Sequence, residues 1–307
     1  MPTQDESSRQ AHPLESERVN AATLDIDRMS PLEIAQAMNA EDARVAGAVA
    51  GTLPQIALAI EQVAARMRQG GRMIYVGAGT SGRLGALDAA ECPPTFNVSP
   101  DLIVSRIAGG TFAWTTAAED AEDRADLGES DMAALDLGAR DSVVGVTASG
   151  HTPYALAALA HARARGALTV GVACNLDTPL QRLSDIAITP IVGPEVINGS
   201  TRLKAGTAQK MVLNMLSTGV MIVLGKTYRN LMVDVQATNT KLRRRAVGIV
   251  SAATGLDDEE ANRLLEACHG EIKTAIVAQL ASTSADEARR RLQASQGIVR
   301  AALDTPS

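Results

Sequence analysis

Aromatic residues are scarce. Two Phe, one Trp and three Tyr amount to 2% of the 307 residues, too few for the stacking platforms that hold single-stranded nucleic acids. An excess of positive charge is also missing. Lys and Arg number 29 against 35 Asp and Glu, a formal net charge of -6, so neutralising a phosphate backbone is not the main task. A small anionic ligand stays compatible with this balance, because one loop can be locally positive in an acidic protein. Cysteine is sparse: Cys92, Cys174 and Cys268 lie far apart, odd in number and without metal-ligand spacing. That usage points to reduced thiols and a cytoplasmic protein. The four histidines, His12, His151, His161 and His269, form no HxxH or HExxH pattern, so a zinc site lacks support. Long apolar runs are absent too. The longest, near Met211–Leu224, is broken by Asn214, Ser217, Thr218 and Gly219 and is too short to span a bilayer. The polar N-terminus lacks the apolar core of a signal peptide. The expectation is a soluble protein with neither a nucleic-acid nor a membrane partner.

Apolar residues are plentiful at 46%, with 21% charged. That suffices for one large α/β domain plus a smaller unit, or for two modest domains. Residues 1–20 read as disordered. Ser30 is placed as an N-cap before Pro31, and helical spacing runs from there to about Arg68, stopping at Gly70-Gly71. A β/α rhythm follows. Short apolar runs at Met73–Val76, Leu102–Ile107, Ser142–Thr147, Leu168–Ala173 and Ile186–Pro190 alternate with Ala-rich helical segments, which predicts a doubly wound parallel sheet. A long helix is expected over about Ser200–Leu224, then a helical tail with Leu256–Ala267 and Glu271–Leu280 split at His269-Gly270. The expected division is N-terminal helices at 21–62, a sheet domain at 63–226 and a C-terminal helical unit at 242–307.

In such sheets ligands sit beyond the carboxyl ends of the strands. The first run ends there in Gly77-Ala78-Gly79-Thr80-Ser81-Gly82-Arg83. Its glycines permit a tight turn and close approach to an anion. Gly79, Thr80 and Ser81 offer backbone and hydroxyl donors at a helix N-terminus, and Arg83 can pair with a phosphate or brace the loop. The loop fits G-x-G-x-x-G literally, but the second run ends in Arg106-Ile107-Ala108 without the acidic residue a dinucleotide ribose needs. The lysine of a Walker loop is missing as well. A second loop, Ala148-Ser149-Gly150-His151-Thr152-Pro153, repeats the strand–Ser-Gly–helix pattern. Two such loops on one sheet edge suit a phosphosugar better than a dinucleotide.

Longer motifs then become recognisable. Gly77–Phe96, Ala148–Tyr154, Gly199–Gly219 and Asn230–Leu242 resemble the signatures of the N-acetylmuramic acid 6-phosphate etherase family. The likeness runs from about Asn20 to near the C-terminus. It implies a five-stranded sugar isomerase (SIS) sheet flanked by helices, kinship with the glucokinase regulatory protein, and a small C-terminal helical unit of ubiquitin-associated, three-helix type. It further implies a homodimer with its site near the subunit interface, a phosphosugar substrate, and no metal or organic cofactor. Members of that family release (R)-lactate from the D-lactyl ether and leave N-acetylglucosamine 6-phosphate.

That chemistry needs two differently tuned acid/base groups. By resemblance Glu91, in Glu91-Cys92-Pro93-Pro94, is the acid that protonates departing lactate, and Glu122 is the second acid/base group, acting at C2. Spacing alone reads Ala118–Asp123 as a solvated helix face and does not separate Glu122 from Glu119; the resemblance selects Glu122. Thr80, Ser81, Ser149, Gly150 and Thr152 are expected phosphate or sugar contacts, with Ser200, Thr201 and Lys204 completing the site. Cys92 reads as a packing residue. His151, where the family commonly has arginine, and Asn198, where it commonly has threonine, depart from the pattern. An aldose–ketose isomerase would use the same loop but has no need of an acid at Glu91. A phosphosugar sensor could dispense with both carboxyls.

Overall fold

The computed structural model describes residues 14–116, 118–235 and 240–304. Residues 1–13, residue 117, positions 236–239 of the last motif, residues 305–307 and the side chain of Glu119 lie outside those described. Helices α1 (Pro31–Asp42), α2 (Val45–Ala50) and α3 (Leu53–Arg68) come first. Ser30 caps α1 as expected: its hydroxyl accepts from the Glu33 backbone N–H and the Glu33 carboxylate accepts from the Ser30 N–H, a reciprocal capping box. The helical stretch expected over 31–68 is interrupted twice. The second break falls at Gly51-Thr52, where Pro54 sits in the first turn of α3; its missing N–H and its ring cannot continue the preceding helix.

The α/β body follows as β1 (Met73–Gly77), α4 (Gly79–Phe96), β2 (Ile103–Ile107), α5 (Glu119–Glu122), α6 (Ala125–Ala133), β3 (Ser142–Val146), α7 (Pro153–Ala164), β4 (Leu168–Val172), α8 (Pro179–Leu183), β5 (Ile186–Ile188) and α9 (Lys204–Val223). All five strands are parallel, in the order β2-β1-β3-β4-β5. Strands β1, β3 and β4 are buried along their whole length, because helices cover both faces of a parallel sheet and the strands read as continuous apolar runs. Side chains alternate between the faces. Met73, Tyr75, Val144 and Val170 join a core with α3, α4 and α9; Ile74, Val76 and Val143 join one with α6, α7 and α8.

A short hairpin, β6 (Thr227–Tyr228) and β7 (Leu231–Met232), leads into α10 (Thr240–Thr254), α11 (Asp258–Ala267), α12 (Ile272–Leu280), α13 (Ala285–Ala294) and α14 (Val299–Asp304). These elements share their own apolar core. The break between α11 and α12 falls at His269 and Gly270, both at positive φ. The tail is larger than a three-helix unit, with five helices among the described residues. No single described helix is long and apolar enough to cross a membrane.

The N-terminal segment departs from expectation. Residues 14–20 are anchored rather than disordered, with Ser16 and Asn20 buried. Ser16 is buried, its backbone N–H donates to Asn175 Oδ1 at 3.2 Å, and its hydroxyl accepts from Asn175 Nδ2 at 3.0 Å. The segment is polar, so composition gives no sign of order. Hydrogen bonding to a residue 159 positions away supplies it.

Candidate functional site

The chain leaves β1 and β3 on opposite sides of the sheet, which makes the crevice between their carboxyl ends the topological switch point. The two glycine- and hydroxyl-rich loops meet there. A Cβ on Gly77 would lie 2.7 Å from the Val146 carbonyl oxygen and 3.0 Å from the Gly82 nitrogen, and one on Gly82 would lie 2.6 Å from the Gly77 oxygen. The end of β1, the end of β3 and the first turn of α4 are therefore in backbone contact. Gly79 starts α4 with φ +52°, the left-handed region that favours glycine.

Ser81 is buried at the first turn of α4, and its hydroxyl donates to Gln209 Oε1 on α9 at 2.9 Å. Thr80 is half-buried, and its methyl carbon would lie 3.6 Å from a Cβ built on Gly206 of α9. The first turns of α4 and α9 thus face each other across the loop.

In the β3 loop, Thr147 Oγ1 pairs with Ser149 Oγ at 3.2 Å and with Thr152 Oγ1 at 2.7 Å. Ser149 Oγ also accepts from the His151 backbone N–H at 3.1 Å. Gly150 has φ +76°, and a Cβ there would stand 2.5 Å from Thr178. Asn175, almost fully buried, donates from Nδ2 to the Ala148 carbonyl at 2.9 Å. Three hydroxyls are therefore clustered and the backbone beneath them is pinned. His151 itself is exposed.

Arg83 braces rather than projects. Its Nε donates to the Ala113 carbonyl at 2.9 Å and a terminal nitrogen to the Thr116 carbonyl at 3.0 Å, tying α4 to the segment after β2. That segment leads to α5, which sits against the end of β2: a Cβ on Gly109 would lie 2.7 Å from Ala118 Cβ and 3.7 Å from Ala121 Cβ. Glu122 closes α5 with an exposed side chain.

Glu91 is also exposed, on α4. Twelve residues separate it from Gly79, roughly 18 Å along a helix axis. Helix α4 runs back along the sheet, so Glu91 stands toward the amino edge while Ser81 stands at the carboxyl edge. The following Cys92 is buried, with its Sγ donating to the Asp88 carbonyl at 3.2 Å. Burial and the neighbouring Asp88 push its thiol up to about 12, which suits packing and not nucleophilic attack.

Ser200 is half-buried just ahead of α9. Lys204, expected among the substrate contacts, is only 1% exposed, and its ammonium is hydrogen-bonded to Glu41 Oε2 at 2.5 Å. The N-terminal amides of α9 are likewise occupied. Glu195, fully buried, accepts from the Lys204 N–H and the Ala205 N–H, each at 2.9 Å.

Several residues that sequence reasoning missed hold this site. Asp88 on α4 accepts from the Tyr75 hydroxyl at 2.8 Å, Asn214 Nδ2 at 2.6 Å and Ser217 Oγ at 3.1 Å. Burial pushes its carboxyl above the ordinary range, against the pull of those three donors. Asp88, Gln209, Asn214 and Ser217 all lie within motif stretches, yet helix spacing alone does not say which polar side chains turn inward.

Family models agree with this architecture. Residues 55–163 match the glucokinase regulatory protein N-terminal SIS domain, 117–219 the SIS domain, and 229–273 the C-terminal lid domain of glucokinase regulatory protein. Among solved structures, a phosphoheptose isomerase from Francisella tularensis superposes with a TM-score of 0.51 at 17% identity, over 63% of this chain and 100% of that one; this likeness concerns the fold. An N-acetylmuramic acid 6-phosphate etherase from Streptomyces avermitilis is 57% identical over 290 residues, covering 94% of this chain and 93% of its own. One from Salmonella agona is 53% identical over 291 residues, covering 95% and 98%. By identity and coverage together, the chain belongs to the N-acetylmuramic acid 6-phosphate etherase family.

Proposed function

We propose that this protein cleaves the D-lactyl ether of N-acetylmuramic acid 6-phosphate, a carbon–oxygen lyase reaction giving N-acetylglucosamine 6-phosphate and (R)-lactate in amino-sugar recycling. The observation that carries the reading is that Thr80-Ser81 and Ser149–Thr152 follow the paired parallel strands β1 and β3 at their switch point, in a chain whose near-full-length relatives bear the etherase name. Gly79, Thr80, Ser81, Ser149, Gly150 and Thr152 hold the phosphate and sugar, Ser200 borders them from the segment ahead of α9, and Arg83 keeps α4 and the segment leading to α5 in register.

A lactyl ether at C3 is a poor leaving group, so direct displacement by water is slow. In the open-chain sugar the C1 aldehyde acidifies the C2 proton. Glu122 removes that proton, Glu91 gives a proton to the lactate oxygen as the C3–O bond breaks, and water adds across the C2–C3 double bond. Two carboxyls in different surroundings supply the two tasks.

The working unit in this proposal is a cytoplasmic homodimer. Glu91 lies farther along α4 from the phosphate loop than a hexose phosphate spans, so it serves the partner's sugar. Exposed apolar residues favour such an assembly. Leu87, one turn before Glu91, is 54% exposed, and Leu53 and Ile222 border an apolar groove of about 530 Å³ between α3 and α9. Within each subunit we place the phosphosugar-binding domain at 63–226, with α3 running across its N-terminal boundary from the preceding helices, and the helical unit from 242.

The direct test is to incubate the protein with N-acetylmuramic acid 6-phosphate and measure lactate. Stoichiometric lactate is expected; none at high enzyme concentration would sink the reading. Formation of a ketose phosphate in its place would mark an isomerase.

A further inference from the structure

Gln209 is 1% exposed and lies behind the phosphate loop. Its Oε1 accepts a hydrogen bond from the Ser81 hydroxyl at 2.9 Å. Its Nε2 is fully buried with no hydrogen-bond partner among the described residues. A buried amide nitrogen left in this way is costly. The pairing also consumes the one hydroxyl proton that Ser81 could offer an anion. A hydroxyl that donates backward turns its lone pairs forward, toward an incoming phosphate.

Rotating the terminal amide of Gln209 by half a turn exchanges its oxygen and nitrogen, which differ little in shape. Nε2 then donates to Ser81 Oγ, and the Ser81 proton is released to face the loop. The strong, charge-assisted bond to phosphate becomes available only in that arrangement. We infer that Gln209 is a positioning residue for substrate phosphate, its amide setting the direction of the Ser81 proton and donating Nε2–H to Ser81 when the site is loaded. The inference rests on the reading of Gly77–Arg83 as the phosphate loop.

Two substitutions separate this from a packing role. A carboxylate at 209 only accepts, so Gln209→Glu locks the Ser81 proton backward and adds negative charge behind the phosphate. Methionine has similar bulk and no acceptor, so Gln209→Met frees the Ser81 hydroxyl. KM for N-acetylmuramic acid 6-phosphate is expected to rise ten- to hundredfold in Gln209→Glu, roughly the value of one hydrogen bond to a charged group, and only a few-fold in Gln209→Met, with kcat changed less than KM in both. A packing role predicts the opposite order, since glutamate keeps the hydrogen bond that methionine loses. Ser81→Ala is the control. If it leaves KM unchanged, the phosphate-loop reading fails; if it raises KM while Gln209→Glu does no more than Gln209→Met, the role of Gln209 alone is overturned. Should Gln209→Glu fail to fold, wild-type protein with ¹⁵N-glutamine decides the matter. Added inorganic phosphate is expected to shift one side-chain amide proton of Gln209, assigned with Gln209→Met, downfield. Unchanged amide protons at saturating phosphate overturn the inference.

Discussion

Lys204 on α9 is hydrogen-bonded through its ammonium to Glu41 on α1, and both side chains are nearly excluded from solvent, at 1% and 4% exposure. The pair joins the helix behind the phosphate loop to the N-terminal helices. Burial pushes the Glu41 carboxyl up, but the hydrogen bond and charge of Lys204, with help from Arg44, outweigh it and hold the group below its ordinary value of 4.5.

Breaking this pair is expected to be expensive. Lys204→Met leaves a buried carboxylate without its main partner and should cost about 3–5 kcal/mol, with most of the loss recovered by adding Glu41→Leu. Urea denaturation of the two variants checks this. The pair's contribution is fully present above pH 4.5 and is lost as the pH falls through the lower folded value. Glu41→Gln should therefore flatten the acid limb of the stability profile below pH 4.5.

Gly82→Ala tests the contact between β1 and α4. The added methyl would lie 2.6 Å from both the Gly77 oxygen and Ile107. The expected cost is about 1–3 kcal/mol, accompanied by a higher KM because Ser81 moves with the helix turn. A thermal melt and a kinetic titration read the two effects.

Glu91→Gln should abolish lactate release while retaining exchange of the C2 proton with solvent deuterium, because Glu122 is untouched. Wild-type lactate release in this variant would remove Glu91 from the acid role. If Glu91 serves the partner's sugar, each mixed dimer of a Glu91→Gln and a Ser81→Ala chain has one intact site. Mixing the two proteins under exchange conditions, at a substrate concentration too low for Ser81→Ala alone to turn over, should then restore activity, up to about one quarter of wild type if chains pair at random. No recovery would place Glu91 and Ser81 in one subunit's site.

The cysteines should be inert in the folded protein. All three are buried, and burial pushes Cys92 and Cys174 up to about 12. At pH 8 Ellman's reagent is expected to find no fast-reacting thiol in the native state and three per chain after denaturation. A fast native thiol would point to a local opening near α4.

The strands and the two loops were legible because parallel strands buried on both faces must be continuous apolar runs, and because a strand passing directly into a helix requires glycine. Ser30 and Pro31 announced α1 for equally local reasons. The break between α11 and α12 was marked by His269-Gly270, since glycine readily takes the positive φ required there. Long motifs gave the family, and the family gave Glu91 and Glu122.

Distance along the chain hid the rest. Glu41 and Lys204 are 163 residues apart, Ser81 and Gln209 are 128 apart, and Ser16 and Asn175 are 159 apart. Nothing in local spacing told Lys204 that it would be buried or told residues 14–20 that they would be ordered. A polar side chain turns inward when a partner across the fold can satisfy it, and that partner exists only once the sheet has been wound. The sequence by itself determined the strands of the sheet, the two glycine- and hydroxyl-rich loops and the candidate carboxyls. Tertiary packing alone decided that Lys204 is a brace, that the Ser81 hydroxyl pairs with Gln209, and that Glu91 and the Gly77–Arg83 loop stand at opposite edges of one sheet.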